Sequence, residues 1–321
     1  MNTWTTRAVT AVTASAAALA LAGCGSTEEA AAGGSGGDGL TVLAGFYPLE
    51  WAAQRVGGDR VDVSSLTPPG AEAHDLELAP QDVAAVAEAD LLVYLEGFQP
   101  ALDEAAATEA ADTAWDAGQA ADLSLTAEEH GHEGETAEEH AEHAGDEEAL
   151  DPHFWLDPTR LASVGDALAE RLAEADPDGA ATYEQNAAAL RTDLETLDAE
   201  MQAGLAGCAV DTLVTSHDAF GYLADRYGLE VVGISGLSPS AEPDPAQLAE
   251  ITALVQERGV STVYTETLVD PAVAETVAEE AGVQSAVLDP LEGLTDESAG
   301  SDYLEVMRAN LATLQEGQSC A

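Results

Sequence analysis

Between Ala180 and Leu205 the chain reads AATYEQNAAALRTDLETLDAEMQAGL, and this stretch decides how the rest of the fold is arranged. Its apolar residues recur every three or four positions, and no proline or glycine interrupts it before Gly204. They are Tyr183, Ala187, Leu190, Leu194, Leu197, Met201 and Leu205. This spacing predicts one amphipathic α-helix of about 25 residues, about 40 Å long. Such a helix can join two domains as a rigid strut, although an ordinary helix within one domain is the alternative.

On both sides of this helix, short apolar runs alternate with helical stretches. Before it we expect strands at 41–44, 61–66 and 91–95, with helices at 47–56 and 80–89. After it we expect strands at 212–215, 230–234, 262–264 and 286–288, with helices at 219–227, 245–258 and 271–281. The βαβα order is typical of parallel sheets covered by helices. The predicted fold class is α/β, with two parallel-sheet (β/α) lobes joined by one long rigid helix.

The same pattern predicts the domain boundaries. We expect an N-terminal α/β lobe over residues 40–179, a linking helix over 180–206 and a C-terminal α/β lobe over 207–321. Residues 24–39 are rich in Gly, Ser, Ala and Glu, which is typical of a flexible tether.

Residues 1–23 are typical of an export signal. Arg7 precedes an apolar run that is too short for a comfortable bilayer span and ends in small residues. The tetrapeptide Leu21-Ala22-Gly23-Cys24 resembles the lipobox of bacterial lipoproteins, which implies cleavage before Cys24 and lipid attachment to its sulfur. An ordinary cleaved signal or an uncleaved anchor is the alternative.

The cysteine count bears on the same question. Three cysteines in an exported chain leave an odd number unless one is used elsewhere. If Cys24 carries lipid, Cys208 and Cys320 remain to form a disulfide that ties the start of the C-terminal lobe to its last helix. Two free buried thiols are the alternative.

The charge of the chain excludes several classes of function. Its 321 residues contain 61 Asp and Glu against 9 Lys and Arg, and all the basic residues are arginines, which gives a formal net charge of -52. A chain without lysine has no P-loop or Schiff-base lysine, so it is neither a Walker-type ATPase nor a pyridoxal enzyme by its own residues. We expect no nucleic-acid partner, because phosphate binding requires clustered basic side chains. The acidity favours cations, although solubility or salt adaptation would also explain it.

Candidate metal ligands follow strands in both lobes. His74 comes after the strand that ends near residue 66, and His217 and Asp289 come directly after strands. Ligands of parallel α/β sheets bind beyond the carboxyl ends of the strands. His153 lies between prolines and aromatics in the rigid stretch DPHFWLDP at 151–158. We therefore predict a buried metal site with two ligands from each lobe, although any one of these residues alone would more often be a helix cap or a satisfied polar group.

The motifs around these residues resemble those of the cluster A-I solute-binding lipoproteins, of the zinc type (ZnuA/TroA-like), which feed metals to ABC importers. The matches are Pro69-Gly70 leading to His74, DPHFWLDP at 151–158, TSHDAFGY at 215–222, and Ile234-Ser235 leading to Glu242-Pro243. The resemblance covers nearly the whole chain after Val42. It implies two lobes joined by one rigid helix, with metal ligands at His74, His153, His217 and Asp289. Ala73 is a departure, since many relatives have proline there.

Three imidazoles and one carboxylate suit tetrahedral Zn²⁺, whereas Mn²⁺ prefers more oxygen ligands. We expect Zn²⁺, with Mn²⁺ as the alternative, and an affinity that falls below about pH 6 to 6.5 as the imidazoles gain protons. Four protein ligands leave no position for an activated water, so we expect no enzyme activity. A zinc hydrolase or deaminase is the less favoured alternative, since the sequence has neither His-Glu-x-x-His nor Cys-x-x-Cys.

The predicted function is therefore extracytoplasmic metal capture. We expect a monomer, anchored to the outer face of the cell membrane by lipidated Cys24, that binds Zn²⁺ in the cleft between the lobes and delivers it to an ABC importer permease. A manganese-type binding protein and a metal-binding adhesin are the alternatives.

Two further features accompany the predicted site. Glu266 lies just after a strand and is a candidate acceptor for a ligand histidine's N–H, with a solvent-facing acid as the alternative.

The segment 128–148 holds four histidines among ten acids, and they are His130, His132, His140 and His143. Its composition predicts a mobile loop near the cleft mouth that collects zinc weakly. A solvated acidic insertion is the alternative.

Overall fold

A computed structural model describes residues 39–126, 150–241 and 243–321 of the chain. The described residues all belong to one compact unit. The predicted signal peptide, Cys24 and nearly all of the predicted tether lie outside the described residues, as do His130, His132, His140, His143 and Glu242. Within the described ranges, no helix combines the length and apolar character that crossing a membrane requires.

The first lobe is built on one parallel sheet. Its described strands are β1 (Leu40–Ala44), β2 (Val61–Ser65), β3 (Leu91–Tyr94) and β4 (Ala114–Asp116). They pair in the order β2-β1-β3-β4. The accompanying helices are α1 (Tyr47–Gly57), α2 (Pro80–Glu88), α3 (Pro100–Glu109), α4 (Gly118–Ala121) and α5 (Pro158–Ala175). β4 was not predicted, because three residues at a sheet edge leave too short a pattern to recognise.

The second lobe repeats this arrangement. After α6 (Ala180–Leu205) come the strands β5 (Thr212–Thr215), β6 (Glu230–Gly233), β7 (Thr262–Thr265) and β8 (Gln284–Val287). They pair in parallel in the order β6-β5-β7-β8. The helices are α7 (Gly221–Tyr227), α8 (Pro245–Arg258), α9 (Ala272–Ala281) and α10 (Tyr303–Gly317). The prediction of two parallel α/β lobes is confirmed.

The long helix α6 joins the two lobes, as its apolar spacing predicts. All seven apolar positions of the predicted stripe are buried. They pack against α1 and α5 of the first lobe and against α10 of the second. Ion pairs fix the polar faces: Arg191 binds Asp166 of α5, and Arg308 of α10 lies 2.7 Å from Glu200. Because side chains from both lobes pack against one continuous helix, α6 connects the lobes rigidly.

The apolar core continues from one lobe to the other. Its largest cluster includes Phe46 and Trp155 of the first lobe, Leu190 of α6, and Leu288 and Tyr303 of the second lobe, all fully buried. Full burial of an apolar side chain such as Phe46, Leu190 or Leu288 contributes about 1.5–3 kcal/mol relative to an exposed one. The lobes therefore share a core beneath the loops at their strand ends.

A disulfide closes the second lobe, as expected. Cys208, just after α6, is bonded to Cys320 at the end of the chain, across a sequence separation of 112 residues. In the chain-entropy account, a loop of this length stabilises the folded state by about 4 to 5 kcal/mol. The bond fixes α10 to the second lobe.

Candidate metal centre

Three imidazoles and one carboxylate converge where the loops after β2, β5 and β8 meet the DPHFWLDP segment. The residues are His74, His153, His217 and Glu292, and their candidate ligand atoms all lie within 4.8 Å of one another. Nε2 of His153 lies 3.3 Å from Nε2 of His74 and 3.4 Å from Nε2 of His217. Oε1 of Glu292 lies 3.3–3.4 Å from all three nitrogens. An ion that binds four atoms tetrahedrally at about 2.0–2.1 Å requires ligand separations of about 3.3–3.4 Å.

The carboxylate oxygen at the centre of this group points to a cation. Glu292 is only 2% exposed, and its Oε1 is buried with no hydrogen-bond partner. A buried charged oxygen without a partner is strongly unfavourable unless a positive charge compensates it. The separations measured from Glu292 Oε1 and from His153 Nε2, together with the uncompensated charge of the buried carboxylate, therefore suit a bound Zn²⁺.

His153 is oriented by the acid that opens its own motif. Oδ1 of Asp151 accepts from the backbone N–H of His153 at 2.9 Å and lies 2.8 Å from its ring Nδ1. A carboxylate only accepts hydrogen bonds, so Nδ1 carries a proton and Nε2 faces the centre, where it offers its lone pair to a metal ion once its own proton is lost. On the other side of the motif, Asp157 caps the start of α5 by accepting from the Thr159 N–H at 2.8 Å. The segment is thus fixed at both ends.

His217 has an equivalent partner in the second lobe. It follows β5, and Glu266, which follows β7, accepts from its backbone N–H at 3.0 Å through Oε1. Oε2 of Glu266 lies 2.7 Å from Nδ1 of His217. Glu266 is 6% exposed and is therefore buried beside His217 rather than facing solvent.

His74 is the most exposed of the three imidazoles, at 9% for its side chain. Its loop after β2 is held by Glu72, which accepts from the His74 and Asp75 N–H groups at 3.1 Å each. Gln99 donates to the carbonyl of Ala73 at 2.9 Å. Ala73 is fully buried, and this hydrogen bond fixes the backbone just before His74.

The structure groups Glu292 with the histidines, whereas Asp289, the fourth ligand predicted from the sequence, lies outside this group. Oδ1 of Asp289 accepts from the Leu291 N–H at 2.8 Å, and its Oδ2 accepts from the Ser298 hydroxyl at 3.2 Å. Leu291 adopts a left-handed conformation with φ 61°, and this turn directs Glu292 towards the histidines. Asp289 therefore shapes the turn that carries the carboxylate. The sequence signal for Glu292 was an acid five residues beyond the end of β8, whereas the sequence prediction considered only the acid nearest the strand end.

The charges in the centre are strongly coupled. Burial alone would lower the pKa of His217, but Glu266 and Glu292 raise it well above its usual value. Burial likewise opposes charge on His153, yet Asp151 and Glu292 raise its pKa overall. For Glu292, burial would raise the pKa, but the three histidines lower it well below the usual range. Before metal binds, the carboxylate thus favours protonated imidazoles, and a metal ion must displace those protons.

The pKa shifts of His74 and Glu72 follow burial, whereas those of His153, His217 and Glu292 oppose it. Burial lowers the pKa of His74, so its imidazole is neutral at neutral pH. Burial and the neighbouring Glu292 raise the pKa of Glu72 to about 8, so this carboxyl stays protonated at neutral pH. A neutral Glu72 avoids a second negative charge beside the Glu292 carboxylate.

Comparisons with known proteins place the chain in a family. Residues 42–317 match the family model ZnuA, described as zinc-uptake complex component A, periplasmic. The chain is 36% identical over 310 residues to the zinc-binding lipoprotein AdcA of Streptococcus pneumoniae, covering 94% of this chain and 59% of that protein. It is 35% identical over 304 residues to the high-affinity zinc uptake system protein ZnuA of Bacillus subtilis, covering 93% of each.

A solved structure supports the same assignment. Zn(II)-bound AdcA from Streptococcus pneumoniae matches with a TM-score of 0.71 and 34% identity, covering 87% of this chain and 58% of that one. The chain thus spans about three fifths of the length of its AdcA relatives. The resemblance inferred from the motifs around His74, His153 and His217 is confirmed, and the chain belongs to the ZnuA family of zinc-uptake components.

Proposed function

We propose that this chain captures Zn²⁺ with His74, His153, His217 and Glu292 and delivers it to the permease of an ABC importer. The observation that carries this proposal is the spacing of 3.3–3.4 Å from the Glu292 oxygen to each imidazole nitrogen. That spacing corresponds to the edges of a tetrahedral zinc site. Relatives named as zinc-binding and zinc-uptake proteins support the same metal.

Zn²⁺ suits this donor set better than Mn²⁺ does. Among the described residues, the four-residue group is the one cluster of His, Cys, Asp and Glu that could hold a metal, and it offers a single carboxylate. Mn²⁺ favours octahedral sites rich in oxygen ligands, whereas Zn²⁺ accepts three imidazoles and one oxygen. We expect Mn²⁺ to bind more weakly.

The site is suited to carriage, and we propose that the chain is not an enzyme. A catalytic zinc keeps one position for water or substrate, whereas four protein ligands fill a tetrahedron. His153, His217 and Glu292 are each at most 2% exposed, which leaves little access for a reacting molecule.

We further propose that the protein works outside the cytoplasm as a monomer, attached to the membrane through lipid on Cys24. The family description places its members in the periplasm, and AdcA is named a lipoprotein. The disulfide between Cys208 and Cys320 fits an oxidising compartment. Under this proposal the signal peptide spans 1–23 and the tether 24–39, and the lobes meet the linking helix at residues 180 and 206.

Competition titration of the mature chain tests the metal assignment. Protein that starts at residue 24, with Cys24→Ala to avoid lipidation, is purified without chelator and titrated with Zn²⁺ and Mn²⁺. We expect one tightly bound Zn²⁺ per chain and weaker Mn²⁺ binding. An absence of zinc binding, or tighter binding of manganese, would contradict the proposal.

A further inference from the structure

One tryptophan connects the two halves of the metal centre. The indole N–H of Trp155 donates to the carbonyl oxygen of Pro290 at 2.7 Å, and Trp155 is fully buried. Trp155 lies two residues after His153, and Pro290 lies two residues before Glu292. A single hydrogen bond thus joins the segment that carries a first-lobe ligand to the turn that carries the second-lobe carboxylate.

The turn before Glu292 depends on such contacts. Leu291 has φ 61°, a left-handed backbone conformation that residues other than glycine rarely adopt. It persists only where surrounding contacts enforce it. From within the second lobe, Asn310 pairs with both backbone groups of Asp289, at 3.0 Å and 2.7 Å. Trp155 adds a contact from the first lobe to the next residue, Pro290. Side chains from both lobes, Trp155 and Asn310, therefore hold the backbone of the turn.

Contacts with both lobes hold the backbone and the indole ring of Trp155 in place. Its carbonyl accepts from the Tyr303 hydroxyl of α10 at 2.5 Å. Its ring packs 4.8 Å from Phe46, 5.5 Å from Phe98 and 5.3 Å from His153, measured between ring centroids. The indole cannot shift without disturbing the His153 ring, so the Pro290 carbonyl is held relative to that ligand.

We propose that Trp155 is a positioning residue that sets the separation between Glu292 and His153 and so favours zinc over larger ions. The inference rests on the proposed zinc-binding function. With the indole bond in place, Oε1 of Glu292 lies 3.4 Å from Nε2 of His153, a separation that suits bonds of about 2.0–2.1 Å. Without that bond, the turn is free to relax and the carboxylate moves outward. A looser carboxylate admits additional oxygen ligands, which Mn²⁺ accepts and a tetrahedral Zn²⁺ site excludes.

The first variant removes only the hydrogen-bond donor: replacing Trp155 with 3-benzothienylalanine puts sulfur in place of the indole N–H while keeping the ring's shape. Trp155→Phe, which loses ring volume as well as the donor, serves as a simpler second variant. We expect zinc affinity to fall by about tenfold, at the low end of the loss seen when a group supporting a metal ligand is removed. Manganese affinity should fall less, so the ratio of zinc to manganese affinity decreases.

A matched control separates this effect from a general loss of stability. Tyr264 is buried in the second lobe, and its hydroxyl donates to Oε1 of Gln318 at 2.9 Å, on the side of the lobe that contacts the chain terminus. Tyr264→Phe also removes one buried hydrogen bond, and it should leave the zinc-to-manganese ratio unchanged. Thermal unfolding of the metal-free variants reports their stability independently.

Cobalt absorption gives a second readout. Four-coordinate Co²⁺ absorbs more strongly in its visible bands than five- or six-coordinate Co²⁺, so the Trp155 variants should show weaker bands than the parent chain. An unchanged metal ratio together with unchanged cobalt bands would overturn this inference while leaving zinc binding intact. If the parent chain itself bound no zinc, the proposed function would be wrong instead.

Discussion

Oε2 of Glu266 lies 2.7 Å from Nδ1 of His217, and Oδ1 of Asp151 lies 2.8 Å from Nδ1 of His153. The two lobes thus use the same device: a buried carboxylate fixes the proton on the outer nitrogen of a ligand imidazole. Such partners orient the ring and raise its basicity.

Glu266→Gln should weaken zinc binding while the protein remains folded. The amide is neutral, so it no longer enhances the basicity of the His217 imidazole. We expect affinity to fall by about 10- to 100-fold, measured by competition with a zinc chelator. Glu275→Gln, at an exposed position on α9, makes the same charge change and should have no such effect. Equal affinities for the two variants would argue against a role for Glu266.

Zinc affinity should decline with falling pH from above neutrality. Zinc binds neutral imidazole, and the acids beside His153 and His217 raise the pKa of both rings above the ordinary value. Protons therefore compete with zinc at higher pH than the window of about 6 to 6.5 expected for unperturbed histidines. Calorimetry near pH 7.5, in buffers of different ionisation heat, should detect protons released as zinc binds. An affinity that stays constant between about pH 8 and 6.5, without proton release, would refute this account.

The fourth ligand can be identified with two substitutions three residues apart. Glu292→Gln removes the charged oxygen at the centre and should cost about 100-fold or more in zinc affinity, beyond the loss expected for a supporting group. Asp289→Asn keeps an acceptor for the Leu291 N–H and should cost much less. Chelator competition on both variants decides between them. A larger loss for Asp289→Asn would restore Asp289 as the ligand predicted from the sequence.

Removing residues 128–148 should leave one tight zinc site. The described ends of the chain on either side lie together, since Thr126 and Leu150 form an isolated bridge and the Asp151 N–H donates to the Leu125 carbonyl at 2.8 Å. A short glycine linker can therefore join them without moving His153. Titration of the deletion variant should still give one zinc per chain at unchanged affinity. Loss of tight binding would mean that His130, His132, His140 or His143 belongs to the site.

Much of the architecture could be predicted because it depends on local pattern. The spacing of Leu190, Leu194 and Leu197 marks the buried face of α6 without reference to any other element. His217 could be located because it follows a strand whose four residues are all buried. In both cases the relevant physics, amphipathic periodicity and the chemistry of strand ends, can be read within a few residues.

The rest depended on contacts between distant residues. Glu292, and not Asp289, faces the histidines because Leu291 is left-handed, a conformation held by the local bond to Asp289 and by the long-range bonds from Trp155 and Asn310 to the two residues before it. β4 escaped prediction because Ala114–Asp116 forms an edge strand of three residues that gains its order from pairing with β3. Neither a single strained residue nor a short edge strand has a periodic signature in the sequence.

X-ray absorption at the zinc edge, on protein loaded with one equivalent of Zn²⁺, tests the central claim most directly. The arrangement of His74, His153, His217 and Glu292 predicts four light ligands at about 2.0–2.1 Å, with the outer-shell scattering of three imidazoles. Glu292→Gln measured in parallel should keep the imidazole signal and alter the oxygen shell. A sulfur ligand, fewer than three imidazoles, or six ligands at longer distance in the parent protein would contradict the account.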